Sequence, residues 1–173
     1  MRKSIFFVIA LCAMFFASVN GASAQNQESR EMEVGTPMPE FVLNSDVYGE
    51  LSSADLKGEV VLMTFFATWC GPCQKELAAV QEKLWPVYKN KKGFRLVVVG
   101  REHTDEQLKD YNEIKKFSFP MYPDPKREVY SKFADITIPR AYLFGKDGKL
   151  IHASKGFEEG DMEKVMKMIE KAL

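Results

Sequence analysis

The chain has 173 residues, 46% of them hydrophobic and 28% charged, a mix that suits one folded domain and excludes wholesale disorder. Lys plus Arg and Asp plus Glu each number 24, so the zero net charge offers neither a basic field for nucleic acid nor an acidic tail. Three cysteines are too few for a disulfide-stapled miniprotein or a four-cysteine zinc ribbon.

The first 24 residues read as a signal peptide. Arg2 and Lys3 are followed by an apolar run from Ile5 to Phe16, then by the small-x-small site Ala22-Ser23-Ala24. That run falls short of the roughly 20 apolar residues that a membrane span needs. An uncleaved anchor is the alternative. Lipidation at Cys12 is disfavoured because Leu11, rather than a small residue, precedes it. Cleavage after Ala24 would leave 22 basic against 24 acidic residues, a net charge of −2, and only Cys70 and Cys73 as thiols. In an oxidising compartment a single close pair without a surplus thiol suits one working dithiol.

Residues 25–32 are polar and read as a linker, and residues 33–173 as one alternating α/β domain. Val34 to Pro39 is an extended lead-in, since its prolines oppose helix. Phe41-Val42-Leu43 suits a short strand, and Tyr48 to Glu59 a turn-rich connection. Val60 to Phe66 is a continuous apolar run, as expected of a central strand buried on both faces. The next helix places Leu77, Val80, Leu84 and Tyr88 on one face, and Pro86 should kink it or end it early. A strand at Phe94 to Val99 and a helix at about Asp105 to Lys116 follow. Pro120 to Pro125 should break the chain, and a short helix should cover Lys126 to Phe133. Ala141 to Phe144 and Lys149 to Ala153 flank Gly145-Lys146-Asp147-Gly148, a hairpin signal. Met162, Val165, Met166, Ile169 and Leu173 form the apolar stripe of a last helix, the methionines serving as core filler. The order predicts a mixed sheet with helices on both faces.

The chemistry lies at Trp69-Cys70-Gly71-Pro72-Cys73. Two cysteines this close can bridge only across a tight turn, which Gly-Pro supplies, and Pro72 suits the start of a helix. Cys70 would then sit over the unpaired N–H groups of a helix N-terminus, which favour thiolate, the attacking species. Cys73, one turn inward, would act second. A zinc site would need two more ligands, and His103 and His152 lie far from any finger spacing. A c-type haem site needs His where Gln74 stands. A purely structural disulfide would close a loop too short to constrain much of the unfolded chain. The pair reads as redox-active, and no metal or cofactor is expected.

Val61 to Cys73 resembles the active-site strand and motif of thioredoxin-fold proteins, and more closely those of the exported TlpA/ResA-type thiol-disulfide oxidoreductases. The resemblance runs from about Val34 to Leu173. It includes Gly35, Pro39 and Phe41 of the lead-in, Ile138-Pro139 and Gly156. It implies a cis Ile138-Pro139 bond packed on the dithiol, with Trp69, Gly71, Pro72, Ile138 and Arg140 bordering a substrate groove. An edge-strand start is the plainer reading of Pro139. Thr64 stands where thioredoxin has a buried Asp, and Glu76 matches the branch's Cys-x-x-Cys-x-x-Glu acid. An ordinary first-turn glutamate is the alternative for Glu76. Arg140 replaces the usual Thr after the cis-proline. It would favour the Cys70 thiolate if close, or else lie on the solvent rim. His103 fits no pattern and reads as a surface loop residue.

The resemblance implies a reductant of protein disulfides outside the cytoplasm, in the periplasm. It would be supplied by a membrane thiol-reductase donor, act as a monomer and have no nucleic-acid partner. Gly-Pro between the cysteines and Ile before the cis-proline point to the reducing direction. Two rivals remain: a thioredoxin-like peroxidase, which would want Thr or Ser where Ala67 stands, and a non-catalytic binding or chaperone module.

Overall fold

The computed structural model of the chain describes residues 31–173. The signal-peptide expectation for 1–24 and most of the linker at 25–32 lie outside the described residues. Five strands form the central sheet: β3 (Val60–Phe66), β4 (Phe94–Arg101), β5 (Met121–Asp124), β6 (Arg140–Phe144) and β7 (Leu150–Lys155). Their spatial order is β5-β4-β3-β6-β7. β3, β4 and β5 run parallel, whereas β6 and β7 are antiparallel, giving the expected mixed sheet.

β3 occupies the centre because all seven of its residues can be buried. Val60, Leu62 and Phe66 face one core, which α1 (Gly71–Ala79), α3 (Asp105–Lys115) and α5 (Asp161–Ala172) cover. Val61, Met63 and Phe65 face a second core. That core is covered by α4 (Tyr130–Phe133) and by a separate hairpin of β1 (Val42–Ser45) and β2 (Gly49–Ser52). Phe133 is its hub, with ring centroids 5.2 Å from Phe65, 5.4 Å from Tyr142, 6.1 Å from Phe41 and 6.3 Å from Phe144. In β4, a Cβ on Gly100 would meet Leu108 of α3 at 2.6 Å, so the bare backbone lets that helix approach.

The structure departs from the sequence expectations at four places. The connection at Tyr48 to Glu59 contains strand β2 and a 3-10 turn, Ser53–Leu56. Pro120 to Pro125 does not interrupt the sheet but carries β5, whose edge position tolerates Pro123. Pro86 neither ends the helix nor simply kinks it. The chain widens into a π-helical turn at Val80–Leu84, where the Trp85 N–H reaches the Val80 carbonyl, and then resumes as α2 (Trp85–Tyr88). Pro86 thereby stands in the first turn of a new helical segment, where its missing N–H costs nothing. The short helix expected from Lys126 is a single turn, α4.

The lead-in lies against the hairpin turn and the first residue of β7. The Gly35 N–H donates to the Leu150 carbonyl at 2.8 Å, the Leu150 N–H to Thr36 at 2.9 Å and the Met38 N–H to Gly148 at 2.9 Å.

Because Phe133 touches four rings of the second core, Phe133→Ala should cost about 3–5 kcal/mol of stability. Denaturant unfolding of the oxidised protein would measure this. A loss below about 1 kcal/mol would mean that the four rings close over the gap.

Candidate active site

β3 ends at Phe66, and the chain turns through Ala67 to Cys70, with the Cys70 N–H donating to the Ala67 carbonyl at 3.1 Å. Cys70 is the extended residue that caps α1, and its Sγ accepts from the Cys73 N–H at 3.2 Å. The sequence places Gly71 and Pro72 in the first helical turn, so Pro72 gives up no helix hydrogen bond. Cys70 and Cys73 form a disulfide, with Cα atoms 5.2 Å apart. Cys73 is fully buried, whereas Cys70 retains 6% exposure and stands next to Trp69, which is 68% exposed. Of the two sulfurs, Cys70 has the outer position and the helix-terminal N–H.

The Ile138-Pro139 bond is cis. The Ile138 carbonyl oxygen lies 3.9 Å from Cys70 Sγ. This loop is tied on both sides: Tyr130 Oη donates to the Thr137 carbonyl at 2.6 Å, and the Gly156 N–H to that of Pro139 at 2.9 Å. Thr137 itself adopts a φ of 76°, a conformation costly for a β-branched residue and held by these ties. Trp69, Gly71, Pro72 and Ile138 thus border the dithiol, and Pro139 is buried beside it.

Glu76 is no ordinary first-turn glutamate on a solvated face, being 5% exposed. Thr64 shares the helix-facing side of β3 and donates from Oγ1 to Glu76 Oε1 at 3.0 Å, while Oε2 has no hydrogen-bond partner among the described residues. Burial pushes the Glu76 carboxyl up to about 7; the Thr64 hydrogen bond opposes this and the charge of Asp161 adds to it. On α1, Glu76 follows Cys73 by three residues, so the two side chains are neighbours on one helix face. Thr64, which stands where thioredoxin has its buried Asp, and Glu76, which matches the branch's acid, are one hydrogen-bonded pair.

Arg140 is neither near the sulfurs' face nor on a solvent rim. It is opposite Phe65 in the β3–β6 ladder and alternates with Ala141, which belongs to the helix-covered core. Its side chain therefore takes the other face, where it is 2% exposed with Nη1 3.5 Å from Glu31 Oε1.

One residue escaped the sequence reading and a second was misplaced by it. The Arg101 guanidinium lies 5.8 Å from the Trp69 ring and 5.2 Å from the Tyr130 ring, linking the exposed tryptophan to the tied loop. Its signal was a strand end placed two residues short. His103, expected on the surface, is buried, with its ring against Phe66 and Nε2 at Thr68. No spacing in the sequence foretold that contact. His152 lies on β7, opposite Leu143 and away from His103's loop. Among the described residues no group of three or more His, Cys, Asp or Glu is placed to hold a metal ion.

A family model described as AhpC/TSA matches residues 34–153. The chain belongs to the AhpC/TSA family. Among its relatives is the thiol-disulfide oxidoreductase ResA of Bacillus cereus, 30% identical over 171 residues and aligned over 97% of this chain and 98% of the relative. ResA of Bacillus subtilis is 27% identical, over 86% of this chain and 80% of its own. The fold matches a candidate protein disulfide isomerase from Bacteroides thetaiotaomicron, with a TM-score of 0.78 and 24% identity over 82% of this chain and 91% of that one. It also matches StoA from Bacillus subtilis, with a TM-score of 0.62 and 24% identity over 77% and 97%. Family membership places this chain with ResA, and the neighbours place its fold among thioredoxin-like proteins.

The raised Glu76 value has a definite sign. An unfolded glutamate titrates near 4.5, so between there and about 7 the folded protein holds a proton that the unfolded chain has released. Stability from the protonated form is complete below about 4.5 and is lost as pH rises through about 7. In the oxidised protein, Glu76→Gln should therefore gain on the wild type by on the order of 3 kcal/mol between pH ~4 and pH ~8 in denaturant melts. Parallel pH profiles would show that the carboxyl titrates normally.

Proposed function

We propose that the chain is an exported thiol-disulfide oxidoreductase that reduces protein disulfides, with Cys70 as the nucleophile and Cys73 as the resolving thiol. The observation that carries this reading is the position of Cys70, where Sγ accepts the Cys73 N–H at a helix terminus and faces the Ile138 carbonyl. In the reduced protein the Cys70 thiolate attacks one sulfur of a substrate disulfide and releases the other as a thiolate. The Cys73 thiolate then attacks Cys70 Sγ, releasing the second substrate thiol and closing the Cys70–Cys73 bond. Two electrons pass to the substrate. A dithiol donor must return them, and a membrane thiol reductase on the same side of the membrane has the right chemistry.

Glu76 is the group we assign to the proton of Cys73. A carboxyl pushed up to about 7 exchanges protons near neutrality, where an ordinary glutamate stays ionised. Thr64, in turn, orients the carboxyl. Trp69, Gly71, Pro72 and Ile138 supply the groove, with Pro139 beneath it, and an extended substrate strand lying against Ile138 would bring its disulfide to Cys70. Arg140 supports the loop from the opposite core rather than acting on the sulfur. The signal-peptide pattern supports periplasmic delivery, and among the described residues no helix is long and apolar enough to cross a membrane. We assign a monomer as the working form. A peroxidase is the weaker reading, because Ala67 lacks the hydroxyl that such a site places ahead of its cysteine.

Trapping tests the roles. Cys73→Ala should accumulate mixed disulfides with substrate proteins and Cys70→Ala should not, whereas equal trapping would reverse the assignment. Insulin should be reduced by the wild type, and a chain that consumes peroxide but leaves insulin intact would establish the peroxidase instead. Direction is tested separately. Equilibration with glutathione should give a potential nearer about −270 mV, typical of a reducing thioredoxin, than about −120 mV, typical of a strong oxidant.

A further inference from the structure

Both peptide groups of Thr68, two residues before Cys70, are held by side chains from elsewhere in the fold. Its N–H donates to His103 Nε2 at 3.3 Å, with Thr68 Oγ1 2.9 Å from the same nitrogen. Its carbonyl accepts from Gln74 Nε2 at 2.9 Å, and Gln74 Oε1 accepts from Lys115 Nζ at 2.8 Å. His103 is held in turn, with Nδ1 2.8 Å from the Arg101 carbonyl and the ring stacked on Phe66 at 6.3 Å.

These contacts fix the state of the ring. A backbone N–H can only donate, so Nε2 must present its lone pair to Thr68. The remaining proton then sits on Nδ1 and is donated to the Arg101 carbonyl. The backbone is committed to this placement: Glu102, just before the histidine, has a φ of 64°, and its N–H is tied to the Asp124 carbonyl at 2.9 Å. A left-handed non-glycine residue at the end of β4 is a conformation that needs such support.

We propose that His103 is a positioning residue that holds the Thr68–Cys70 turn and thereby sets the reactivity of Cys70. The proposal rests on Cys70 being the nucleophile. The connection is short. Thr68 leads directly to Trp69 and Cys70, and the Cys70 thiolate is stabilised where its Sγ meets the Cys73 N–H at 3.2 Å. Releasing Thr68 lets Cys70 drift from that donor, so the thiol pKa rises and attack slows. Gln74 holds the carbonyl from α1, whose N-terminus the turn feeds, and so moves with that helix. His103 supplies the fixed reference from the loop that follows β4.

Three variants separate this role from simple core filling. His103→Gln places an amide oxygen near the Nε2 position and restores the acceptor. His103→Asn reaches only the Nδ1 position, and His103→Leu supplies neither. In the full chain, alkylation of Cys70 against pH and the rate of insulin reduction are the readouts. His103→Asn and His103→Leu should each slow insulin reduction by about tenfold, the scale of one lost buried hydrogen bond, and raise the apparent Cys70 pKa. His103→Gln should stay within about twofold of the wild type. If all three lose stability while the Cys70 pKa stays put, or all three react like the wild type, the proposal is overturned. If Asn or Leu does not fold, 15N chemical shifts of the wild-type ring decide: neutral with the proton on Nδ1 upholds it, and the Nε2–H tautomer or an imidazolium overturns it. Failure of Cys73→Ala to trap substrate through Cys70 would instead strike the nucleophile assignment, leaving the tautomer measurement to judge His103.

Discussion

Burial of β3 on both faces is the constraint from which the site follows. Its alternate residues feed two different cores, so the strand can neither slide nor rotate without exposing one apolar set. The same alternation turns Thr64 toward α1 and leaves Phe66 facing α3, so one register decides both the partner of Glu76 and the ring against which His103 stacks. A rigid strand end then delivers the turn, and the turn delivers the outer sulfur. Function depends on the core in this literal sense.

The two cysteines are treated differently by their surroundings although they share one bond. Cys70 has backbone N–H and solvent on its side; Cys73 has a buried setting and a carboxyl whose second oxygen has no hydrogen-bond partner among the described residues. Leaving that oxygen unpaired inside the protein costs far more when it carries charge than when it carries a proton. On the proposed assignment, the acid stands beside the inner sulfur, where exchange with a thiol would give the proton somewhere to go. Positive charge near the groove comes instead from Arg101, which stands between Trp69 and Tyr130.

Much of this could be read in the sequence because it depends on local pattern. The apolar run of β3, interrupted by Thr64 alone, the Cys-Gly-Pro-Cys turn and the periodic stripe of α5 all announce themselves over short windows. β2 and β5 did not. Gly49–Ser52 is too polar and short to signal a strand, and its pairing with β1 is settled by the core that it covers. β5 contains a proline that is tolerated only at a sheet edge, and edge position is a property of the whole topology. His103 failed for a related reason. Its partner lies 35 residues away along the chain, and no periodicity encodes a hydrogen bond between a loop and a strand end. Arg140 misled because its place after Pro139 suggested nearness to sulfur, whereas the pleat sends the side chain through to the other core.

The lead-in against the start of β7 bears on how the protein behaves in a crowded compartment. An outer strand is a template on which any extended chain can pair. Gly35, Thr36 and Met38 occupy the portion of that edge at Gly148 to Leu150, so an incoming strand finds a shorter template there. Proteolytic clipping beyond Met38 would lengthen it without touching a catalytic group. What the lead-in holds shut is therefore the start of β7, a structural duty separate from the dithiol and one that an activity assay would not report.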